Sequence, residues 1–196
     1  MLRAAFISLS ESKSLRNMAE STWIGQRLSR RFVAGTTIED ALAATTATNK
    51  LGLSVSVDNL GENVTNADEA RHSAQLYHQM LDQMQAQKLN ANVSLKLTHM
   101  GLDVDEAMAY EIASGVVQHA ARIDNFVRID MEGSPYTQRT LDFVHRLHRQ
   151  PENAGHVGAV IQAYLFRSEK PKGAIGELIH VRVKGDACGK NVPSRS

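Results

Sequence analysis

The chain has 196 residues, 42% of them apolar and 22% charged, with a net charge of +1. Such a chain can bury one sizeable core, and its near-neutral charge gives no reason to expect nucleic acid or an anionic membrane as the main partner. A lone cysteine, Cys188, excludes an intrachain disulfide framework, and no apolar run is long enough to span a bilayer or serve as a secretory leader, so a cytoplasmic location is expected.

Residues 12–34 read as a helix, with Met18, Trp23, Leu28 and Phe32 among Arg27, Arg30 and Arg31. The basic cluster is most simply a solvated face, and Gly35 ends the helix. Thr37 opens a second helix, with Asp40 three residues on in a capping-box arrangement, and Gly52 closes it. The first strand is Leu53–Asp58. After the turn Asn59–Asn63, Thr65 or Asn66 caps a helix whose apolar stripe is Ala70, Ala74, Tyr77, Leu81 and Met84. Asn92–Leu97 reads as the second strand, and Gly101-Leu102-Asp103 leads into a helix with Met108, Ile112, Val116 and Val117 inward. The third strand lies in Phe126–Ser134, where Arg128, Asp130 and Glu132 share one face at period two. Ser134 then caps a helix with Pro135 at its first position and Leu141, Val144 and Leu147 buried. Val157–Gln162 is the fourth strand, running on through 163–167, and His180–Gly185 is a fifth.

Strand centres at Val57, Leu95, Ile129 and Ile161 follow one another at intervals of 38, 34 and 32 residues. Strands alternating with helices at a near-constant period imply parallel βαβ units, hence an α/β protein. An open doubly wound sheet would carry a glycine-rich phosphate loop after its first strand. Here that turn is Asp58-Asn59-Leu60-Gly61-Glu62, so a (β/α)8 TIM-type barrel is the better reading. A full barrel takes about 250 residues, and the chain accounts for an N-terminal helical segment (1–52), a partial barrel of four to five βα units (53–185) and an irregular tail (186–196). A C-terminally truncated or frameshifted copy is therefore expected.

Asp58, Lys96, Asp130 and Gln162 stand at the carboxyl ends of successive strands, where a barrel builds its active site. A lysine on an apolar strand must be paired or do chemistry: as a Schiff-base nucleophile, as in an aldolase, or as a fixed positive charge, unless it lies on a solvated edge. Asp130 and Glu132 could bind a metal with His99 nearby, but the spacing is not diagnostic and no metal is expected. His145 and His148, one helical turn apart, read as surface residues. An amide at Gln162, a carboxylate at Asp130 and cations at Arg182 and Lys184, with no phosphate loop, suit a flavin lying across the barrel mouth.

Five segments then match a known family in order: RRFVAG from Arg30, VSVDNLGENVT from Val55, NVSLKLTHMGLD from Asn92, FVRIDMEGSPYT from Phe126 and VIQAYLFRS from Val160. The chain resembles the catalytic barrel of monofunctional bacterial proline dehydrogenases. That resemblance implies FAD-dependent oxidation of L-proline to 1-pyrroline-5-carboxylate, with hydride transfer to the flavin and electrons passed to a quinone. It implies catalytic roles for Lys96 and Asp130, with Asp130 holding Lys96 or a water network, and flavin contacts from Asp130 and Gln162. The family's next strand reads VRL, a variable residue, then KGAY, which assigns Arg182, Lys184 and Gly185 to FAD, although the Ala-Tyr is absent here. The quinone implies peripheral contact with the inner face of a membrane. An alternative is a catalytically inactive half-barrel remnant of the same family.

Overall fold

The computed structural model describes residues 33–61, 63–162 and 182–184. The elements in order are α1 (Ile38–Asn49), β1 (Val55–Asp58), α2 (Ala67–Ala86), β2 (Ala91–Leu95) and α3 (Glu106–Arg122), followed by β3 (Val127–Asp130), α4 (Thr137–His148), β4 (Val157–Gln162) and β5 (Arg182–Lys184). Short 3-10 turns at Thr98–Met100, Ser134–Tyr136 and Pro151–Asn153 join them.

Helix starts follow the side chains that can satisfy free backbone donors. Thr37 Oγ1 accepts the Asp40 N–H at 3.2 Å, Asn66 Oδ1 that of Glu69 at 3.0 Å, and Asp105 Oδ1 that of Met108 at 2.7 Å. At α2 Glu69 also reaches back past the N-cap, since the Thr65 N–H, one residue before Asn66, donates to Glu69 Oε2 at 2.8 Å. That donor is the main reason the exposed Glu69 carboxyl titrates below its ordinary range.

The five strands are all parallel and lie in the order β1-β2-β3-β4-β5. A doubly wound sheet reverses its strand order at a switch point; here each new strand joins the same edge, the winding of a barrel wall. Period two then separates the faces. Val93, Leu95, Val127, Ile129, Val157 and Ala159 point outward into one core with Tyr77, Leu81, Val116, Val117, Leu141 and Val144 of the helices. Fully burying each of these valine, leucine and isoleucine side chains is worth about 1.5–3 kcal/mol, so this outer layer holds the fold together. The alternate residues Ser56, Asp58, Ser94, Arg128 and Asp130 belong to the other face, and register aligns Asp58, Ser94, Arg128 and Gly158 in one row.

Several sequence expectations shift. The helix expected over 12–34 lies outside the described residues, except for Val33 and Ala34, which are not helical. β2 ends at Leu95 rather than Leu97, because the Lys96 carbonyl already accepts the His99 and Met100 N–H groups of the following turn. On α3 the buried stripe runs through Ala109, Ala113, Val116, Val117 and Ala120, with Met108 and Ile112 only half-buried. The alanines with Val116 and Val117 fill the buried face of α3, and Ile112 packs against that core while only partly buried. Ser134 opens a 3-10 turn, not the α-helix itself, and makes no capping bond, although Pro135 keeps its expected place near the start. α2 confirms its stripe: Ala70, Ala74, Tyr77, Leu81 and Met84 are all buried. The tail after Lys184 is outside the described residues.

Candidate active site

Two carboxylates at the carboxyl ends of the strands each hold a cation. Asp58 closes β1 and places Oδ2 at 3.9 Å from Lys96 Nζ; both side chains are about one-quarter exposed, at 26% and 23%. Its other oxygen, Oδ1, accepts the Tyr77 hydroxyl at 3.2 Å, and that hydroxyl accepts the Asn59 N–H at 3.4 Å. Asp130 closes β3, and its Oδ1 accepts the Ser94 hydroxyl at 2.7 Å and lies 3.5 Å from Arg128 Nε. The Arg128 contact is an ion pair without a hydrogen bond, since Nε finds no acceptor in bonding geometry.

Burial pushes the Asp58 carboxyl above the ordinary carboxylate range; the Lys96 charge opposes this and the Asp130 charge adds to it. Asp58 therefore sits within electrostatic reach of both Lys96 and Asp130. Tyr77 is raised further, first by burial and then by the Asp58 charge, so its phenol stays protonated and acts as a hydrogen-bond donor.

The turns beyond the strands are clamped separately. Glu132 accepts from both the backbone N–H and the hydroxyl of Thr98, two residues past Lys96. His99 is buried, with Nε2 at 2.7 Å from Ser73 Oγ, and Gly61 lies against its ring. These two residues thus hold the turns beyond the strands. Among the described residues no three His, Cys, Asp or Glu side chains are grouped to hold a metal ion. A cavity of about 580 Å³ opens at the amino ends of the strands, bordered by Ser54, Asn92 and His156, and none of the four charged site residues lines it. In a barrel the chemistry belongs to the carboxyl ends, so the charged cluster is the better candidate.

The sequence model of the proline dehydrogenase family matches residues 41–178, more than half of the chain. The chain belongs to this family. Proline dehydrogenase 2 of Bacillus subtilis is 36% identical over 168 residues, and Proline dehydrogenase 1 of the same organism is 37% identical over 169. Each alignment covers 86% of this chain and 54% of the relative. Proline dehydrogenase of Deinococcus radiodurans is 28% identical over 182 residues, 91% of this chain and 57% of that protein. The chain thus spans about half the length of the curated relatives it matches. A solved structure of proline utilization A from Bdellovibrio bacteriovorus, inactivated by N-propargylglycine, shares the fold with a TM-score of 0.74 at 22% identity, covering 81% of this chain and 20% of that one. With the sheet order, these likenesses make the architecture a partial (β/α) barrel of the proline dehydrogenase kind.

Of the residues singled out by resemblance to the proline dehydrogenases, Lys96 and Asp130 stand at the ends of the neighbouring strands β2 and β3. The β2–β3 register supports this, since Ser94 lies opposite Arg128 and the next residues of the same parity are Lys96 and Asp130. Of the two roles expected for Asp130, holding Lys96 or holding a water network, the first is not made as a direct ion pair: Lys96 pairs with Asp58 and Asp130 with Arg128. Gln162 ends β4 opposite Lys184, and Arg182 stands opposite Val160. Gly185 lies outside the described residues. His145 and His148 are half-buried on α4, away from the strand ends. Sequence reasoning gave no role to Arg128, Ser94 or Tyr77. The period-two pattern put Arg128 on the Asp130 face, which was the available signal; Tyr77 offered only a phenol within an apolar stripe.

Proposed function

We propose that the protein is an FAD-dependent proline dehydrogenase, oxidising L-proline to 1-pyrroline-5-carboxylate and passing electrons to a quinone. The observation that carries this reading is the paired strand-end constellation, Lys96 anchored by Asp58 and Asp130 anchored by Ser94 and Arg128, in a chain of this family. The names of the curated relatives support proline as the substrate.

The donor set suits a flavin. Ser56 Oγ is buried without a hydrogen-bond partner, and Arg128 Nε makes no hydrogen bond, so this face keeps unused donors beside its cations. Asp130, Gln162, Arg182, Lys184 and Gly185 would hold the FAD, which when bound supplies the two-electron acceptor. The chain's own share is orientation and electrostatics. Lys96 neutralises negative charge at the substrate, and Asp58 keeps the ammonium from turning away to solvent. Ser94 and Arg128 both hold the Asp130 carboxylate at Oδ1, so it can orient a bound group without first reorganising. A quinone acceptor calls for peripheral membrane contact; among the described residues no helix is long and apolar enough to cross a membrane.

The test is spectroscopic. The purified protein should be yellow, and anaerobic L-proline should bleach its flavin absorbance. A colourless protein that takes up no added FAD and leaves proline unchanged would refute the reading in favour of a non-catalytic scaffold.

A further inference from the structure

Tyr77 belongs to the apolar stripe of α2, is fully buried, and contacts the same core as Leu81 and Met84. Phenylalanine would serve that packing equally well, so the hydroxyl requires its own explanation. It leaves the core at the end of β1, donates to Asp58 Oδ1 and accepts from the Asn59 N–H. The Asp58 carboxylate is thereby divided, one oxygen on the phenol and the other on the Lys96 ammonium.

We propose that Tyr77 is a positioning residue of this site, holding Asp58 ionised and correctly turned so that Asp58 in turn fixes the Lys96 ammonium. The inference rests on the proline dehydrogenase reading for its consequence in catalysis, but not for the coupling itself. A helix on the outer layer thus reaches over the strand end to set a charge at the mouth. The phenol cannot share the work by ionising, because burial and the neighbouring carboxylate keep it protonated. Its proton is available only as a hydrogen bond to the charged form of Asp58, and such a bond favours ionisation. Without it, burial acts on Asp58 with less opposition. The carboxyl then takes a proton at higher pH, and Lys96 loses its counter-charge there.

Tyr77→Phe removes the hydroxyl and keeps the ring. A carboxyl-carbon NMR titration, with the Asp58 signal assigned by its loss in Asp58→Asn, should show the Asp58 midpoint moved to higher pH in Tyr77→Phe. The acid limb of the kcat/KM profile for proline should move in the same direction, with a loss of roughly tenfold on the acid side, the size expected for one hydrogen bond to a charged group. A merely structural tyrosine would lower activity evenly across pH. An unmoved Asp58 midpoint overturns the proposal, as does a moved midpoint with an unmoved acid limb in an active enzyme. If neither protein oxidises proline, a moved midpoint supports the Tyr77–Asp58 coupling and removes the proline reading instead. Should Tyr77→Phe fail to fold, fluorotyrosine incorporation keeps the side chain and strengthens its donor, and must shift the Asp58 midpoint to lower pH; no shift overturns the proposal.

Discussion

Lys96 follows a strand whose outward residues, Val93 and Leu95, are completely buried, while its own side chain turns to the opposite face and meets Asp58. Its ammonium is partly withdrawn from water, so a charge there acts with more force than at a free surface. Lys96→Met keeps much of the aliphatic bulk and removes the charge. Under the proposed activity, kcat/KM should fall by about 10²–10³-fold, the usual cost of one preorganised electrostatic contact. Asp130→Ala should lower it comparably, with Ser94 and Arg128 left holding no carboxylate. Circular dichroism and thermal unfolding should show both variants folded, because neither side chain belongs to the outer core. Turnover equal to wild type in either variant would remove that residue from the site. The sequence marked Lys96 and Asp130 because charged groups at the ends of apolar strands are conspicuous. It did not reveal which anion holds which cation. That choice depends on strand register and on side-chain reach, quantities no single segment contains.

At the scale of elements, the loops above the sheet are packed against one another, not left open. A Cβ added to Gly61 would approach the His99 ring to 2.5 Å, closer than such carbons come in real structures, and His99 is itself fixed by Ser73. The β1–α2 loop and the turn after β2 therefore meet through a glycine and a buried imidazole. Gly61→Ala should destabilise the fold by about 1–3 kcal/mol, the common cost of overpacking, read as a lower midpoint in denaturant unfolding. An unchanged midpoint would mean that the loop yields at no cost. Gly101 is needed for a different reason: its φ of +92 is left-handed, and the turn into α3 depends on it. The turn at Gly101 and the caps at Thr37 and Asn66 were legible, because local polar groups and glycine write their own signal. Gly61 was legible only as part of a turn, since its partner His99 is distant in sequence. The inward face of α3 was read correctly at Val116 and Val117, which are fully buried, but not at Met108. Met108 and Ile112 are more hydrophobic than Ala109 and Ala113, yet the smaller pair takes the buried positions.

For the whole molecule, the barrel winding was legible in three features together: a near-constant strand interval, polar residues at strand ends and no phosphate loop after the first strand. Strand order itself needed coordinates, because the pattern of a single strand does not name its neighbours. The resulting architecture separates duties. Helices and outward strand residues supply cohesion, while the polar face supplies chemistry, so a pH response of stability should originate in the outer layer as well as at the site. One such place is the contact between α2 and α3. His78 Nδ1 lies 2.7 Å from His119 Nδ1, the ring centroids are 4.9 Å apart, and His119 Nε2 lies 2.8 Å from Asp82 Oδ1. Two facing ring nitrogens at that distance share a single proton. Burial, and then the His119 charge, hold His78 below its ordinary value of 6.5; Asp82 opposes this and Arg122 adds to it. The folded state therefore takes up a further proton at His78 less readily than the unfolded chain. Stability is unaffected well above pH 6.5, then falls as pH drops below that value and continues to fall until folded His78 has titrated. Thermal midpoints measured from about pH 7 down to about pH 5 should decline in the wild type. His78→Gln should lose part of that slope while leaving the midpoint at the upper end of the range nearly unchanged. Parallel curves for the two proteins would show that this pair contributes nothing to the acid sensitivity of the fold.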